Sequence, residues 1–384
     1  MSPKRNAERK EIQPSVSQIQ TDFGCIITAY QNFTLTLPAV EALLKQNYPH
    51  YTIYLVADDC NLNEISNHKL ENEKLKVLIP EKSLHSKVMS IRYAILQFIR
   101  PHTFTVIFDA DNLAAENFLS VLNSKLQEGY KAVQGRRVAK NLDTIYACAD
   151  ALGEIYKNYI ERYVPYLLGS SSTIAGSGMA IDTNILSEFL NSPAINRLLQ
   201  SQSVIVAEDK MLQYHLLSNN FKIAFARNAL VYDEKITTAT QVKRQRTRWL
   251  YAYFENIPKS ISLIFSGIIN LNPNRLIFGL FSFLPPMFIL LLGAIILALF
   301  DLLFTWPFMS LFQTAAISIF TGNIFWVLYL SKAPSRVWQA IWILPYFVFN
   351  QLLALLQVKR AKKNFMVTQH SKKVSLEEME QDSR

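Results

Sequence analysis

The chain has 384 residues, half of them hydrophobic, and carries a formal net charge of +9. This length suits two ordinary domains. The positive charge is concentrated in Lys4–Lys10, Lys243–Arg248 and Lys359–Lys373, and no basic helix interleaves with exposed aromatic residues as it would in a nucleic-acid-binding protein. We therefore expect no nucleic-acid partner, because attraction to anionic lipid on a cytoplasmic membrane face explains the first and last clusters better.

The cysteines and histidines indicate neither a disulfide-bonded protein nor a zinc-binding protein. Cys25, Cys60 and Cys148 have no paired spacing, and the six histidines form no zinc pattern. The sequence therefore predicts free thiols in a reducing compartment. Residues 1–22 are polar and contain no apolar signal-peptide core, so nothing indicates export of the domain that follows.

The first part of the chain alternates strand and helix patterns. Such a βαβ series with right-handed crossovers predicts a doubly wound, mostly parallel α/β sheet. No Gly-x-Gly-x-x-Gly follows the first strand, which excludes the usual dinucleotide fingerprint. The predicted strands are Phe23–Tyr30, Tyr51–Ala57, Leu75–Ile79, Phe104–Asp109 and Ala132–Gln134, and the predicted helices between them are Thr34–Gln46, Ser83–Ile99 and Glu116–Glu128.

A small-residue loop and several helices follow. The loop Gly169–Gly178 enters a predicted strand, Met179–Asp182, and its small side chains would let the backbone approach a bulky ligand; a flexible hairpin loop is the alternative. An apolar segment near residue 260 predicts an amphipathic helix in a membrane interface. The predicted helices are Leu142–Tyr163, Glu208–Ser218, Thr240–Glu255 and the interfacial Pro258–Asn270.

The last third of the chain contains three long stretches without charge. A helix needs roughly 20 apolar residues to cross a hydrocarbon core. We predict a surface helix up to Leu284, because Pro285-Pro286 interrupts the first stretch. The predicted spans are Pro286–Phe304, Phe308–Leu330 and Val337–Gln357.

The charges of the connecting loops predict the orientation. Asp301–Pro307 has no positive charge and Ser331–Arg336 has two, so the second loop and the first domain are expected in the cytoplasm. Three crossings would leave the basic tail outside, against the same rule. Either the third segment is re-entrant or interfacial, or the tail is an exception.

Two acids end the fourth predicted strand. Asp109 and Asp111 lie at the carboxyl end of a buried strand, where ligands of parallel sheets bind. Residues i and i+2 project to the same side, so both carboxylates could hold one hard divalent ion whose other ligands are substrate phosphates. An ordinary acidic turn is the alternative.

Three more motifs follow the same order along the chain. Asp58-Asp59 ends the second strand, Ala207-Glu208-Asp209 opens a helix, where the helix dipole alone could favour acids, and Gln245-Arg246-Thr247-Arg248-Trp249 precedes the apolar block. Together with Asp109-Ala110-Asp111, this series resembles the family-2 glycosyltransferases, specifically the membrane-integrated group with cellulose and hyaluronan synthases and a bacterial exopolysaccharide subgroup. The resemblance covers roughly Phe23 to Trp249, and Gln-x-x-Arg-Trp is its most specific part.

The resemblance implies a GT-A type fold and an organisation in four parts. A flexible basic segment at 1–22 precedes a cytoplasmic transferase domain at 23–256. Interfacial and transmembrane helices at 257–358 precede a basic tail at 359–384. In that tail, 365–370 is similar to a gating-loop motif, with His370 where the family has Lys.

The implied reaction is inverting transfer of a sugar from a nucleotide sugar, with UDP expected, to a growing polysaccharide or glycan. A polyprenyl-phosphate lipid acceptor and a non-catalytic membrane scaffold are the alternatives. Because three or fewer spans make a thin pore wall, a homo-oligomer or other polysaccharide-export subunits are expected partners, together with membrane lipids.

The resemblance also implies roles on the donor side. Asp58 would accept the imide N–H of uracil, with Tyr30 near the base and Asp59 as a second candidate. Lys87 would approach the diphosphate; a solvated helix lysine is the alternative. Asp109 would reach ribose or metal.

The remaining roles concern the metal, the acceptor and the base. Asp111 would hold Mg²⁺ or Mn²⁺ against the diphosphate, and Asp209 would be the general base, with Glu208 supporting it. Ala207 stands where the family usually has Thr. The loop residues Gly176, Ser177 and Gly178 would line the acceptor pocket.

The last motif would serve the acceptor and the phosphates. Arg246 and Arg248 can fork onto phosphate oxygens, Trp249 can stack on a sugar ring, and Gln245 can donate hydrogen bonds. The alternative is a basic helix on lipid headgroups with its Trp at the interface.

Overall fold

A computed structural model describes residues 20–68, 70–200, 207–304 and 307–355 of the chain. Within these ranges the first part of the chain is an α/β domain, and helices follow it. The strands are β1 Phe23–Tyr30, β2 Tyr51–Asp58, β3 Leu75–Leu78, β4 Phe104–Asp109, β5 Leu113–Ala114, β6 Ala132–Ala139, β7 Met179–Asp182 and β8 Ile223–Asp233.

The helices share the two faces of this sheet and continue beyond it. Short 3-10 turns at Thr34–Thr36 and Ala340–Ile343 precede two of them, and a π-helical turn, Asn158–Tyr163, follows another. The α-helices are α1 Leu37–Leu44, α2 Leu62–Asn67, α3 Lys87–Leu96, α4 Phe118–Gln127, α5 Ile145–Lys157, α6 Val164–Leu167, α7 Thr183–Leu190, α8 Pro193–Gln200, α9 Glu208–Ser218, α10 Ala239–Ile269, α11 Pro273–Phe283, α12 Met287–Leu303, α13 Pro307–Leu330, α14 Ser335–Gln339 and α15 Leu344–Leu355.

The eight strands form one sheet in the order β3-β2-β1-β4-β7-β6-β8-β5. The pairs β1–β2, β1–β4, β2–β3 and β6–β8 are parallel, whereas β4–β7, β6–β7 and β5–β8 are antiparallel. The predicted α/β fold with a mostly parallel sheet followed by helices is confirmed. β2 is buried along its whole length, because helices cover both faces of the sheet.

Two hydrophobic cores lie on opposite faces of the sheet. Side chains of α1 and α4, such as Val40 and Phe118, pack on one face against Phe108 and its neighbours. Side chains of α3, α7 and α9 pack on the other face, where Ile107 takes the alternate position of the same strand. Alternation of side chains along β4 thus divides the core, and the strand ends between the two layers carry the polar residues.

The strand β8 was missed in the sequence. Its apolar pattern is interrupted by Arg227 and Asn228, and the structure places these residues in a bulge: Gly135 pairs with Ala226, but Arg136 pairs with Leu230. Bulges break the two-residue period that identifies a strand. The direction of β7 was also not predicted, because a four-residue apolar run does not encode which neighbour it pairs with.

The prediction of a separate interfacial helix beginning at Pro258 is wrong. α10 runs without interruption from Ala239 to Ile269 and contains Pro258. A proline removes one helical hydrogen bond, but side chains on either side of it hold this helix together: the Asn256 amide donates to the Ala252 carbonyl at 2.7 Å, and the Ser260 hydroxyl lies 2.6 Å from the Tyr214 hydroxyl. Tertiary contacts therefore outweigh the local break, and the boundary predicted after residue 256 falls inside one helix.

The apolar region contains one described helix, Phe308–Leu330, that is long and apolar enough to cross a membrane. α11 and α12 would make a second span only as a broken pair, since they meet at an angle of 65°. The third predicted span is divided in the described residues into α14, a 3-10 turn and α15. The two terminal basic clusters and the motif at 365–370 lie outside the described residues.

Candidate active site

Asp58, at the end of β2, organises the segment that leads into α3. Its carboxylate accepts hydrogen bonds from the Leu84 N–H at 2.8 Å, the His85 N–H at 2.9 Å and the Ser83 hydroxyl at 3.1 Å. The residue is buried. These contacts hold residues 83–85 out of the helix, which explains why α3 begins at Lys87 and not at Ser83 as predicted.

Tyr30 and His85 lie together beside this carboxylate. The Tyr30 hydroxyl is 3.1 Å from His85 Nδ1, and the rings meet edge to face with centroids 5.8 Å apart. Burial raises the pKa of Tyr30, and the nearby Asp59 and Asp58 raise it further. Asp59 points differently, because its carboxylate accepts from the Gln31 amide at 2.8 Å. His85 was not singled out in the sequence, since a lone histidine in a loop gives no signal.

Lys87 and Asp109 form an ion pair between the first turn of α3 and the end of β4. The Lys87 ammonium also donates to the Gly176 carbonyl at 2.9 Å. Burial opposes ionisation of both groups, but their mutual attraction prevails, so the pKa of Lys87 is raised and the pKa of Asp109 is lowered. Arg137 adds to the lowering of the Asp109 pKa. The alternative interpretation of Lys87 as a solvated surface lysine does not fit this contact.

Asp111, two residues later, is buried and accepts hydrogen bonds from a backbone amide and from a side-chain amide. Its Oδ2 accepts from the Glu234 N–H at 3.1 Å, and its Oδ1 lies 3.3 Å from the Asn112 amide. Among the described residues, no group of three or more His, Cys, Asp or Glu side chains converges on one point. The described side chains around Asp109 and Asp111 therefore do not form a complete metal site by themselves.

The Gly176–Gly178 loop runs past these acids towards α9. Gly176 and Gly178 have φ angles of +81° and +61°, which favour glycine. A Cβ on Gly178 would lie 2.4 Å from a Val231 methyl group, so no other residue fits there. A Cβ on Gly176 would lie 3.8 Å from the Asp209 Cβ, which places the loop directly against that acid.

Glu208 and Asp209 begin α9 and line one cavity together with Lys87 and Gly176. Burial raises the pKa of Glu208, Lys87 opposes this, and Asp209 adds to it. The preceding Ala207 has a φ of +66°, a left-handed conformation that costs a non-glycine residue about 1 kcal/mol. This turn aims both acids into the cavity. The other lining residues are apolar: Val88, Ile91, Ile107, Met179, Leu186, Phe189, Leu190 and Leu212.

The Gln245–Trp249 motif lies in the second and third turns of α10 and contacts α5. Arg246 donates to Asp150 at 2.7 Å. Trp249 is 36 % exposed, and its ring lies 3.8 Å from the Lys157 ammonium and 4.3 Å from the Arg246 guanidinium. Two cations therefore contact the Trp249 ring, which the family resemblance predicts to stack on a sugar ring.

A buried ion network connects these elements and was not predicted. Asp233 pairs with Arg137 and, at 3.0 Å, with Lys235. Lys235 lies 3.6 Å from Glu154, which in turn accepts from Arg162 at 2.7 Å. The network runs from the end of β8 to α5 and its π-helical turn. No sequence period reveals it, because its members come from four separate elements.

The structure thus brings five predicted residues into direct contact or around one cavity: Lys87, Asp109, Gly176, Glu208 and Asp209. Asp111 follows Asp109 and bonds to the residue after Asp233. Asp58 and Tyr30 lie at the neighbouring strand ends, with His85 two residues before Lys87. The motif of α10 joins the site through α5 and the ion network.

Comparison with solved structures gave similarities of low identity. A mannosyltransferase from Pyrobaculum calidifontis, PcManGT, solved with GDP-Man and Mn²⁺, is 11 % identical with a TM-score of 0.48, covering 88 % of this chain and 87 % of that one. S. aureus TarS is 13 % identical with a TM-score of 0.40, covering 64 % of this chain and 40 % of that one. TarS 1–349 with UDP-GlcNAc is 14 % identical with a TM-score of 0.38, covering 57 % and 60 %. The chain thus spans about two fifths of the TarS chain.

A search of curated proteins found no significant match. The family model described as "Glycosyltransferase like family 2" matches residues 21–252. This range contains the whole sheet, the cavity acids and the Gln245–Trp249 motif, and it is more than half of the 384 residues. The chain therefore belongs to the glycosyltransferase family 2-like proteins.

Proposed function

We propose that the protein is an inverting, membrane-bound glycosyltransferase that moves a sugar from a UDP-sugar to a growing polysaccharide or glycan. The observation that carries this proposal is the cluster in which Lys87 pairs with Asp109 and bonds the Gly176 carbonyl, with Gly176 lying against Asp209. A cation for the donor phosphates and a carboxylate for the acceptor hydroxyl are the two groups that sugar transfer from a nucleotide requires.

The donor would lie across the ends of β1, β2 and β4. The Tyr30 and His85 rings offer a surface for the base. Asp58, which holds the segment that carries His85, would also accept the uracil N–H. Lys87, in the first turn of α3, would receive the diphosphate, and the helix dipole there also favours an anion.

A divalent ion, Mg²⁺ or Mn²⁺, would be held by Asp109 and Asp111 together with the diphosphate. When bound, such an ion offsets the charge that builds on the departing UDP. Lys87 supplies a second positive charge at the same place, since it already pairs with Asp109.

Asp209 would remove the acceptor proton. A sugar hydroxyl is a poor nucleophile near neutral pH, and a carboxylate within hydrogen-bond reach can take its proton as the oxygen attacks the anomeric carbon. The bond to the UDP oxygen breaks on the opposite face, so the anomeric configuration inverts. Glu208 would support the base from the preceding position on α9, where burial and the neighbouring Asp209 raise its pKa.

The acceptor side would include the Gly176–Gly178 loop and the motif of α10. Trp249, Gln245 and Arg248 remain candidates for the sugar and the phosphates, whereas Arg246 is already committed to Asp150. The motif and the apolar helix Phe308–Leu330 together support the membrane-integrated, polymer-forming group. A chloroform-soluble sugar-lipid product would instead support the polyprenyl-phosphate acceptor.

The test is turnover by the full chain in membranes with a panel of radiolabelled nucleotide sugars. Wild type should release UDP from at least one donor. Asp209→Asn should lower kcat/KM by roughly 10²–10⁴-fold, the contribution typical of a general base. Glu188→Gln, an exposed change on α7, is the matched control and should keep wild-type turnover. Unchanged UDP release by Asp209→Asn would show that the base is another residue.

A further inference from the structure

Arg137 lies on β6 and holds two other segments by the two ends of its guanidinium. One Nη donates to the Ala175 carbonyl at 2.9 Å, and the other bonds the Asp233 carboxylate. It follows the point where the β6–β8 register shifts between Gly135 and Arg136. The shift brings the last residues of β8, including Asp233, level with the end of β6.

Lys87 makes a similar pair of contacts with Gly176, the loop residue that follows Ala175. Its ammonium bonds the Gly176 carbonyl and pairs with Asp109. Two successive carbonyls, those of Ala175 and Gly176, are therefore each held by a cation that also pairs with an acid. The loop cannot shift without breaking one of these contacts. The loop also lies against Asp209, because the Cβ position of Gly176 is 3.8 Å from the Asp209 Cβ.

The acid partner of Arg137 connects it to the other half of the Asp109–Asp111 pair. Asp233 precedes Glu234, whose N–H donates to Asp111 Oδ2 at 3.1 Å. Asp233 is itself held by Lys235 at 3.0 Å. Arg137 thus stands between the loop and both acids, and its partner is fixed by the buried network behind it.

We propose that Arg137 is a positioning residue that sets the Ala175–Gly178 loop, and with it the space beside Asp209, relative to Asp109 and Asp111. This inference rests on the proposed function, since it concerns the alignment of the acceptor hydroxyl with the donor. At position 137 the role requires arginine, because its planar guanidinium presents two separate nitrogens, one to the Ala175 carbonyl and one to the Asp233 carboxylate. Lys87 bonds its two acceptors through a single nitrogen, so a lysine at position 137 could not span the same two groups in the same directions.

The first test is Arg137→Lys, with Arg136→Lys as the matched control. Arg136 precedes it on the same strand, and adjacent strand residues point to opposite faces. We expect kcat to fall by about 10–100-fold in Arg137→Lys, the effect of a displacement of about 1 Å in a reacting group. The donor KM should change less than kcat, because the residues proposed to bind the base, Tyr30 and Asp58, lie away from this loop at the ends of β1 and β2. Equal kcat values in the two variants would overturn the proposal.

A second variant separates positioning from mere charge compensation. Arg137→Gln/Asp233→Asn removes both charges of the pair, while Lys235 keeps Glu154 as an acid partner. If Arg137 positions the loop, kcat of the double variant stays as low as that of Arg137→Gln. If kcat recovers together with thermal stability, Arg137 serves only to balance buried charge.

Amide hydrogen exchange of residues 175–178 gives a readout that does not need turnover. We expect faster exchange of this loop in Arg137→Lys than in wild type and in Arg136→Lys. A wild-type protein inactive with every nucleotide sugar would contradict the proposed function, while unchanged loop exchange would contradict the role of Arg137.

Discussion

At the scale of single residues, the structure gives several predicted ligands a partner inside the protein. Asp58 holds the start of the segment before α3, Arg246 holds Asp150, and Lys87 holds the Gly176 carbonyl. Such contacts preorganise a site, because a side chain fixed by its neighbours loses little freedom when a ligand binds. They also mean that a substitution at these positions changes both the shape and the chemistry of the site.

Lys157 provides a prediction with a defined pH. Burial lowers the pKa of Lys157 to about 8, and Arg246 contributes in the same direction. The ammonium is therefore present below pH 8 and is lost as the pH rises through that value, and with it the contact to the Trp249 ring at 3.8 Å. We expect a transition in tryptophan fluorescence with a midpoint near pH 8, which should vanish in Lys157→Met.

The lowered pKa of Lys157 also predicts how the stability of the fold depends on pH. Because this pKa is lower in the folded than in the unfolded chain, folding disfavours the charged ammonium. Above pH 8 the unfolded chain stays protonated while the folded chain does not, so the free energy of unfolding should rise with pH. An identical fluorescence transition in Lys157→Met would assign it to another group.

At the scale of elements, α10 and α11 form the close helix pair that follows the sheet. A Cβ on Gly267 would lie 2.5 Å from the Leu276 backbone nitrogen, and one on Gly279 would lie 2.9 Å from the Ile264 nitrogen. The two backbones therefore touch where glycines face them. Asn274 at the start of α11 also accepts a hydrogen bond from the Ser171 hydroxyl at 2.8 Å, which connects this helix pair to the α/β domain.

Gly267→Ala tests this contact. The added methyl meets backbone, which cannot move out of the way as a flexible side chain could, so we expect a loss of about 1–3 kcal/mol in the free energy of unfolding. Gly293→Ala is the control, because nothing lies within 4 Å of its Cβ position. That helical change should be neutral or stabilise by about 0.5–1 kcal/mol. Thermal unfolding in detergent measures both, and equal midpoints would contradict the close approach.

At the scale of the whole molecule, α5 connects the α/β domain to the apolar helices. The Tyr156 hydroxyl donates to the Asn323 amide oxygen on α13 at 2.9 Å, and the Arg336 guanidinium lies 3.5 Å from the Leu142 carbonyl. The same helix carries Asp150 and Glu154, which bind α10 and the ion network. A displacement of α13 would therefore reach the ion network through α5.

The proposal that α13 spans a membrane predicts a selective effect of charge. Ile319 is 73 % exposed near the middle of this helix, and an arginine there would cost about 2.5–3.5 kcal/mol in a bilayer centre. Ile319→Arg should reduce the fraction of protein that resists alkaline carbonate extraction. Leu62→Arg, at a 62 % exposed position on α2, should have no effect. Complete extraction of the wild type would show that α13 does not span a bilayer.

The sequence by itself determined the local features of this protein. The buried strands ending at Asp58 and Asp109, the glycines at 176 and 178 and the uncharged Phe308–Leu330 all follow from composition and spacing over a few residues. Such signals are local, because a strand period, a left-handed turn and a hydrophobic span each depend on neighbouring side chains alone.

Only the tertiary structure decided which residues meet. The direction of β7, the bulge in β8, the continuity of α10 through Pro258 and the pairing of Arg137 with Asp233 depend on contacts between distant segments. Nothing in the sequence around Glu154 identifies the buried cations with which it pairs, because packing decides both its burial and its partners. Energetic coupling across the fold, and not any local pattern, therefore placed Lys87, Asp109 and Asp209 around one site.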